Sequence, residues 1–260
     1  MSQPIYHLLP YSAWQRVPPD GVYAPESLEK EGFVHFSGDE ATLLAVANAY
    51  YHDVTEPMAV LLVDPDRLSA KVRWEPPSEP SEDQLFPHVY GPVERHAVLD
   101  VKHVVREPSG RYVALVDRPA TAKLLDLVPY PQGGWYRRSW TSPVRFTPAG
   151  YTAERPAATT TLYLLRPGEQ AAWHRVPSDE LWFWHSGDPV ELRLGGTGVA
   201  PGAEETTVLG PDVHAGHLLH TVVPQGTWQS ARLTGDREVL VSRVVAPGYD
   251  TSEIESAPRD

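Results

Sequence analysis

The amino-acid sequence predicts two domains, an α+β domain followed by an all-β domain built as a sandwich or barrel. The chain has 260 residues, which is more than an average domain of roughly 100–200 residues needs. Strand-like and helix-like stretches alternate in the first half, whereas short β-rich runs separated by Gly- and Pro-containing turns fill the second half. We place the first domain at residues 1–116, a linker at 117–123 and the second domain at 124–250.

The elements of the first domain follow from local patterns. Residues 39–51 place apolar side chains at helical spacing after Ser37 or Asp39, either of which can cap the helix. Residues 25–31 predict a shorter amphipathic helix. Runs of β-branched, aromatic and aliphatic residues predict strands at residues 5–9, 33–36, 59–63, 71–74, 97–105 and 112–116.

The second domain is predicted to consist of short strands joined by turns. Dipeptides such as Ser186-Gly187 and Gln225-Gly226 mark the turns. Regular spacing of this kind is typical of β-sandwiches and barrels. The strands are predicted at residues 159–165, 180–185, 190–194, 206–209, 218–223, 228–233 and 239–246, and residues 251–260 are expected to be a disordered tail.

The composition excludes several classes of partner. The chain has 22 Lys and Arg against 34 Asp and Glu, a net charge of −12. Such a charge repels phosphate backbones and anionic bilayers, so we expect neither nucleic acid nor membrane as a partner. Cysteine is absent, which removes disulfides and thiolate chemistry. We therefore expect a cytoplasmic protein that acts on a small-molecule ligand through His, carboxylate and hydroxyl groups.

The clearest chemical motif lies between Gly168 and Gly187. It contains His174 and Glu180, which fall on two neighbouring stretches of the second domain. Adjacent strands of a small barrel can point a histidine and a carboxylate into one lumen. In that position the two groups can bind a cation or transfer a proton.

This segment matches the first cupin motif at four of its five positions, and residues 224–229 match the second motif except at Gln229. From about residue 124 to residue 249 the sequence resembles the DUF985 (cupin 5) family. The resemblance implies a cupin fold, the jelly roll also called a double-stranded β-helix. It rests on Gly133, Gly134, Tyr136, Thr160, Tyr163, Trp173, His174, Arg175, Asp179, Glu180, Trp182, Pro224, Trp228, Gln229, Pro247 and Gly248.

The resemblance to cupins also implies an activity. The family is similar to sugar epimerases of the cupin superfamily, which favours an isomerase, epimerase or lyase acting on a small polar metabolite by proton abstraction beside a carbonyl. In this scheme Arg175 clamps an anion and Tyr136 is an alternative acid. Cupins commonly pair through barrel edges, so we also expect a homodimer. The catalytic candidates are His174, Glu180 and Tyr163, and the substrate-binding candidates are Tyr136, Arg175, Trp182 and Gln229.

The metal ligands of cupins are only partly present. Metal-binding cupins use three His and one Glu, but Val176 and Gln229 stand at two of these positions. Only His174 and Glu180 remain, and two protein ligands seldom hold a divalent metal. We expect no metal or a weakly held one, with His220 as the candidate additional ligand. Restoring both positions as Val176→His and Gln229→His should create a metal site.

Residues 5 to about 107 carry a second dense pattern. It comprises Ile5, His7, Trp14, Tyr23, Ser27, Glu31, His35, Ser37, Asn48, Tyr50, Trp74, Glu75, Phe86, His88, Tyr90 and Pro92. This region resembles the DUF952 family, which has a fold like that of ADP-ribosyltransferases. By analogy with NAD-using enzymes, the resemblance implies NAD as a ligand. The cleft candidates are His7, His35, Ser37, His88 and Tyr90.

These patterns leave three functions open. The first is an enzyme that works in the cupin barrel. The second is NAD binding or ADP-ribosyl transfer by the first domain, with the cupin as a ligand-sensing module. Transferases need a Glu or Gln on a third strand, and Glu94 lies near that region without a clear assignment. The third is ligand binding by both domains without catalysis.

Overall fold

The computed structural model describes residues 2–76, 84–151, 153–248 and 253–257. The chain divides into two compact units, Met1–Arg118 and Pro119–Asp260. The first unit combines helices with small antiparallel sheets, and the second is largely β and cupin-like. Within the described residues, no helix is long and apolar enough to cross a membrane.

Within its described residues, the first unit contains nine strands and three helices. They are β1 (Ile5–Pro10), α1 (Tyr11–Gln15), β2 (Val22–Tyr23), α2 (Glu26–Glu31), β3 (Val34–His35), α3 (Glu40–Tyr50), β4 (Met58–Val63), β5 (Val72–Glu75), β6 (Phe86–Val89), β7 (Val93–Glu94), β8 (Val98–Arg106) and β9 (Tyr112–Val116). Single 3₁₀ turns lie at Pro65–Arg67 and Arg95–Ala97.

The core of the first unit lies between α3 and a four-stranded antiparallel sheet in the order β1-β4-β8-β9. Strand β4 is central and almost entirely buried, as its sequence MAVLLV predicts. Asp39 caps helix α3, because its carboxylate accepts a hydrogen bond from the Thr42 backbone N–H at 2.7 Å. A three-stranded sheet, β3-β6-β5, and the pair β2-β7 complete the unit.

The second unit begins with a short helix and continues as strands. These elements are α4 (Ala120–Leu124), β10 (Val128–Pro129), β11 (Trp135–Thr141), β12 (Arg145–Phe146), β13 (Arg155–Pro156), β14 (Thr159–Leu165), β15 (Gln170–Arg175), β16 (Asp179–Ser186), β17 (Val190–Leu194), β18 (Glu205–Leu209), β19 (His220–Val223), β20 (Gln229–Leu233), β21 (Val239–Ala246) and β22 (Glu255–Ser256).

Two antiparallel sheets of the second unit share one core. The larger sheet has the order β10-β11-β14-β21-β16-β19, and the smaller has the order β18-β17-β20-β15-β22. Strand β21 shows the alternation expected of a strand with one buried face, because Val239, Val241, Arg243 and Val245 are buried while the residues between them are less so. Side chains from both sheets pack together around Trp182. The interior between the sheets is the lumen of the barrel.

The structure corrects two expectations about connecting segments. The division between the units, after Arg118, falls inside the expected linker at residues 117–123, but most of α4 also lies there and Ala122 is fully buried. The predicted disordered tail pairs with the barrel where it is described, because β22 extends the smaller sheet beside β15. Ile254 packs against the core, and Glu255 forms an ion pair with Arg175. These two contacts explain why this part of the tail lies against the barrel. The remaining tail residues, 251–252 and 258–260, lie outside the described residues.

Candidate functional site

Four polar side chains meet in the barrel lumen. His174 and Gln229 are cross-strand neighbours on β15 and β20 of the smaller sheet, and both are fully buried. Glu180 and Arg243 come from β16 and β21 of the larger sheet, and each is 2% exposed. Buried ionisable groups are rare unless they are paired, so this cluster marks the site.

Glu180 accepts a hydrogen bond on one oxygen and forms an ion pair through the other. The Gln229 side-chain N–H donates to Glu180 Oε2 at 2.6 Å. Arg243 Nε lies 3.4 Å from Glu180 Oε1 and forms an ion pair with it. Gln229 Oε1 in turn accepts a hydrogen bond from the Trp182 indole N–H at 3.0 Å. Glu180 is therefore positioned as a charged acceptor, and Trp182 and Gln229 fix its orientation.

His174 presents an unprotonated nitrogen to the lumen. Its Nδ1 lies 2.8 Å from the Ala172 carbonyl oxygen, which can only accept, so Nδ1 carries the proton. Burial lowers the pKa of His174, and the positive charge of Arg243 acts in the same direction, while Glu180 and the Ala172 hydrogen bond oppose the shift. The ring is consequently neutral with its lone pair on Nε2. That atom is buried and has no hydrogen-bond partner within the described ranges.

Arg243 lies in an aromatic cage. Its guanidinium carbon is 4.4 Å from the ring centroid of Tyr163, 5.0 Å from that of Tyr130 and 5.3 Å from that of Trp182. The faces of these rings are electron-rich and attract a cation. The cage therefore compensates part of the hydration that Arg243 loses on burial.

The tyrosines around this cage differ in what their hydroxyls do. The Tyr163 hydroxyl donates to the Gly133 carbonyl at 2.7 Å, and burial raises the pKa of Tyr163. The hydroxyl proton of Tyr163 is therefore held by the Gly133 carbonyl, so Tyr163 is poorly placed for the role of general acid that the sequence predicted. Tyr136 packs against Tyr130, with ring centroids 4.6 Å apart. The Tyr130 hydroxyl and Gln132 Oε1 are buried without a hydrogen-bond partner in the part of the chain that the structure describes.

The structure places two predicted residues outside the lumen. Arg175 lies beside His174 in sequence but points to the opposite side of β15, where it pairs with Glu255 at 2.7 Å and covers the Trp228 ring. It is not a lumen anion clamp. His220 is exposed and stacks on Phe183, because β19 pairs with β16 rather than with β20. His220 therefore cannot complete a ligand set with His174.

Arg243 was not predicted as a site residue, whereas Tyr130 and Gln132 are the two positions before the Gly pair at which the sequence departs from the His and Glu usual in the resembling family. A signal for Arg243 was present in the sequence, because it occupies the inward register of an otherwise apolar alternating strand. Tyr130 and Gln132 lie in an irregular loop before β11, where periodicity predicts no orientation.

The residues present do not fit the divalent metal that related cupins bind. Of the usual four ligand positions, only His174 and Glu180 carry a ligand, and both Glu180 oxygens face donors. Val176 is buried in an apolar cluster with Val245. Among the described residues, no group of three or more His, Cys, Asp or Glu is placed to hold a metal ion.

The first unit brings together part of its predicted cleft around Phe33. The ring of Phe33 stacks on His88 with centroids 4.1 Å apart, and it also contacts the rings of His35 and Tyr90. The His88 Nδ1 and the Tyr90 hydroxyl both contact Glu75 Oε2, at 2.9 and 2.7 Å. These contacts lower the pKa of Glu75, with the Tyr90 hydrogen bond as the main cause.

His7 and Ser37 are buried members of the predicted cleft, as is His88. His7 Nδ1 donates to the His35 carbonyl at 2.7 Å, and burial lowers the pKa of His7 to about 4. His7 Nε2 is buried without a hydrogen-bond partner within the described residues. Ser37 exchanges backbone hydrogen bonds with Tyr6, which makes it part of the framework.

The lumen geometry and two-sheet architecture define the second unit as a cupin barrel. A family model described as the Cupin superfamily (DUF985) matches residues 120–257, and the chain belongs to this family. Residues 8–101 match DUF952, so the chain combines both domains. Comparison with curated proteins gave no match.

Several solved structures are similar to parts of the chain. A protein from Shewanella oneidensis is 30% identical, covering 54% of this chain and 85% of that one, with a TM-score of 0.48. A protein from Caulobacter crescentus is 20% identical, covering 42% and 93%, with a TM-score of 0.37. A dTDP sugar isomerase from Desulfovibrio desulfuricans is 18% identical, covering 50% and 84%, with a TM-score of 0.35.

Proposed function

We propose that the cupin barrel binds a small polar carbonyl compound and moves a proton on the carbon beside the carbonyl, as an isomerase or epimerase. The observation that carries this proposal is the neutral His174, whose Nε2 lone pair is buried beside a fixed cation and has no hydrogen-bond partner in the described residues. A general base needs an unprotonated atom within reach of the substrate proton. His174 supplies that atom.

The proposed reaction needs only groups of this chain. His174 Nε2 takes the proton, the C–H bond breaks, and its electron pair forms the double bond of an enolate. The negative charge develops on the carbonyl oxygen, where the positive charge of Arg243 stabilises it. The protonated His174 then returns the proton to the same carbon after the substrate has turned over in the lumen, which inverts that carbon. In an α-hydroxy carbonyl compound it can instead protonate the former carbonyl carbon, while the hydroxyl proton of the α-carbon moves to the former carbonyl oxygen and a new carbonyl forms. If the neighbouring carbon carries a leaving group, the same first step begins a lyase reaction.

Glu180 has a positioning role in this scheme. Its oxygens are engaged by Gln229 and Arg243, which leaves it poorly placed to accept a substrate proton. Its negative charge instead holds Arg243 and stabilises the protonated His174 that forms during the reaction. Trp182 and Tyr136 would form the walls against which a small ligand packs.

Deuterium exchange tests the proposal without knowledge of the product. The full chain is incubated in D₂O with aldoses, ketoses and their phosphate and nucleotide esters, and deuterium on the carbon beside the carbonyl is followed by NMR. We expect exchange with at least one compound. His174→Gln should slow it about 100- to 10,000-fold, because a general base typically contributes that factor. Exchange that survives His174→Gln would contradict the assignment.

A matched variant controls for nonspecific effects of replacing a histidine. His214 lies on an exposed 3₁₀ turn of the same unit. His214→Gln should exchange at the wild-type rate. If His174→Gln and His214→Gln slow deuterium exchange equally, the loss of exchange does not come from the lumen.

A second candidate function belongs to the first unit, for which we propose binding of NAD by an ADP-ribosyltransferase-like fold. The buried His7 Nε2, which has no hydrogen-bond partner among the described residues, favours a ligand there, because buried polar atoms ordinarily find a partner. Calorimetric titration of the full chain with NAD tests this idea. Saturable binding that His7→Gln weakens would support it, and no binding at millimolar NAD would refute it.

A further inference from the structure

Arg243 is an unusual occupant for the interior of a small barrel. It sits on β21 opposite Trp182 of β16 and Thr161 of β14, with 2% of its surface exposed. A buried guanidinium loses its hydration and is retained only where nearby groups compensate its charge. The Glu180 carboxylate and the aromatic cage described above provide that compensation.

The Arg243 guanidinium lies beside the Glu180 carboxylate, which is the group that a metal ion in the lumen would bind. Glu180 is one of two side chains that remain from the cupin ligand set, and Arg243 Nε is 3.4 Å from its Oε1. A divalent ion bound to Glu180 would face this fixed positive charge at short range in a poorly solvated interior, where repulsion is strong. The ion would also have to displace the Gln229 N–H from Oε2.

We infer that Arg243 is the resident cation of this lumen. It neutralises Glu180, supplies the fixed positive charge that a metal ion supplies in metal-binding cupins, and excludes divalent metals from the barrel. Changing Val176 and Gln229 to His is therefore insufficient to create a metal site while Arg243 is present. This revises the expectation drawn from the sequence, in which those two ligands were the missing elements.

Metal titration of the full chain tests the inference. The forms compared are the wild type, the double variant V176H/Q229H, and the double variant combined with R243Q or with R243M. Gln keeps a donor toward Glu180, and Met has an unbranched side chain suited to the aromatic cage, so each offers a separate route to a folded protein. Each form is dialysed against chelator, checked by circular dichroism and titrated with Mn²⁺ and Zn²⁺ by calorimetry, with native mass spectrometry for stoichiometry.

We expect one equivalent of metal only where Arg243 is replaced, with affinity at least tenfold above that of V176H/Q229H. As a control, the double variant is combined with R232Q, which removes a half-exposed arginine paired with Glu191. This control should bind no more metal than the double variant. Stoichiometric metal bound to V176H/Q229H with Arg243 in place would overturn the inference. The inference would also fail if V176H/Q229H combined with R243Q or R243M folds but binds no metal. The readout is independent of the proposed proton transfer, so the two proposals can fail separately.

Discussion

His7 and His174 share one arrangement in two different units. In each ring, Nδ1 donates to a backbone carbonyl and Nε2 is buried without a hydrogen-bond partner in the described ranges. Burial lowers the pKa of both, since the charged ring would lose its hydration. By contrast, His35 is half-exposed and pairs with Glu31. Burial of the ring therefore favours the neutral form of both His7 and His174.

The His7 pKa makes the first unit sensitive to acid. Its pKa is about 4 in the folded protein, against an ordinary histidine pKa of 6.5. The folded state therefore disfavours protonation, and its stability is complete above pH 6.5 and falls as the pH drops toward 4. We expect a loss of about 2 kcal/mol by pH 5, because one pKa unit corresponds to ~1.4 kcal/mol. Hydrogen exchange of β4 amides, corrected for intrinsic rates, measures this loss at pH 7 and pH 5.

Two variants separate His7 from other titrating groups. His7→Gln should remove most of the difference between the two pH values. His52→Gln replaces an exposed ring and should leave the difference unchanged. If His7→Gln retains the full acid sensitivity, another group is responsible.

Among the elements, the loop before β11 links the backbone conformation at Gly133 to the packing of side chains in the lumen. Gly133 has a φ of 105°, and a Cβ at this position would lie 2.1 Å from the Gln170 carbonyl oxygen. The Gly133 carbonyl also accepts the Tyr163 hydroxyl. A side chain at position 133 would therefore displace the loop from β15 and disturb the cage of Arg243.

Alanine at position 133 should destabilise the second unit strongly. Gly168 is a matched control, because its φ is also positive but a Cβ there would contact nothing within 4 Å. We expect Gly168→Ala to cost ~1–2 kcal/mol for the left-handed backbone alone. Gly133→Ala should cost a further ~1–3 kcal/mol from overpacking. Urea denaturation followed by tryptophan fluorescence compares the two variants, and equal losses would mean that the loop adapts without strain.

The sequence predicted the parts of the site that follow a fixed spacing. The motif placed His174 and Glu180 in one lumen, and Arg243 could have been recognised from its inward register on β21. The sequence could not predict the ordered tail, because β22 is two residues long and its position depends on Glu255 meeting Arg175 across the fold. Strand β11 was missed for a related reason, since most of its side chains are exposed and polar and show no alternation.

At the scale of the whole molecule, the two units carry separate candidate sites, and the barrel exposes an apolar edge. Strand β19 is the last strand of the larger sheet, so one of its backbone edges is unpaired within that sheet. Val222 on this strand is 48% exposed, and Leu219, immediately before the strand, is 53% exposed. Apolar edge strands tend to pair with another chain.

We propose that the protein forms a homodimer through β19. Light scattering of the full chain at micromolar concentration should give twice the monomer mass. Leu219→Asp should convert the dimer to a monomer, because a charge at the centre of the contact loses its hydration. Val199→Asp is the control, since Val199 lies in a loop and is 92% exposed. A monomeric wild type would reject the proposal.

The protonation state of His174 decides whether the lumen holds a neutral histidine base. Long-range ¹H–¹⁵N NMR of histidine-labelled full chain, assigned with His174→Gln, identifies the protonated nitrogens of each ring. We expect His174 to be neutral at pH 7, with the proton on Nδ1, and to become charged only at a pH below the ordinary histidine pKa of about 6.5. A titration midpoint at or above that value, or a proton on Nε2 at pH 7, would contradict the assignment.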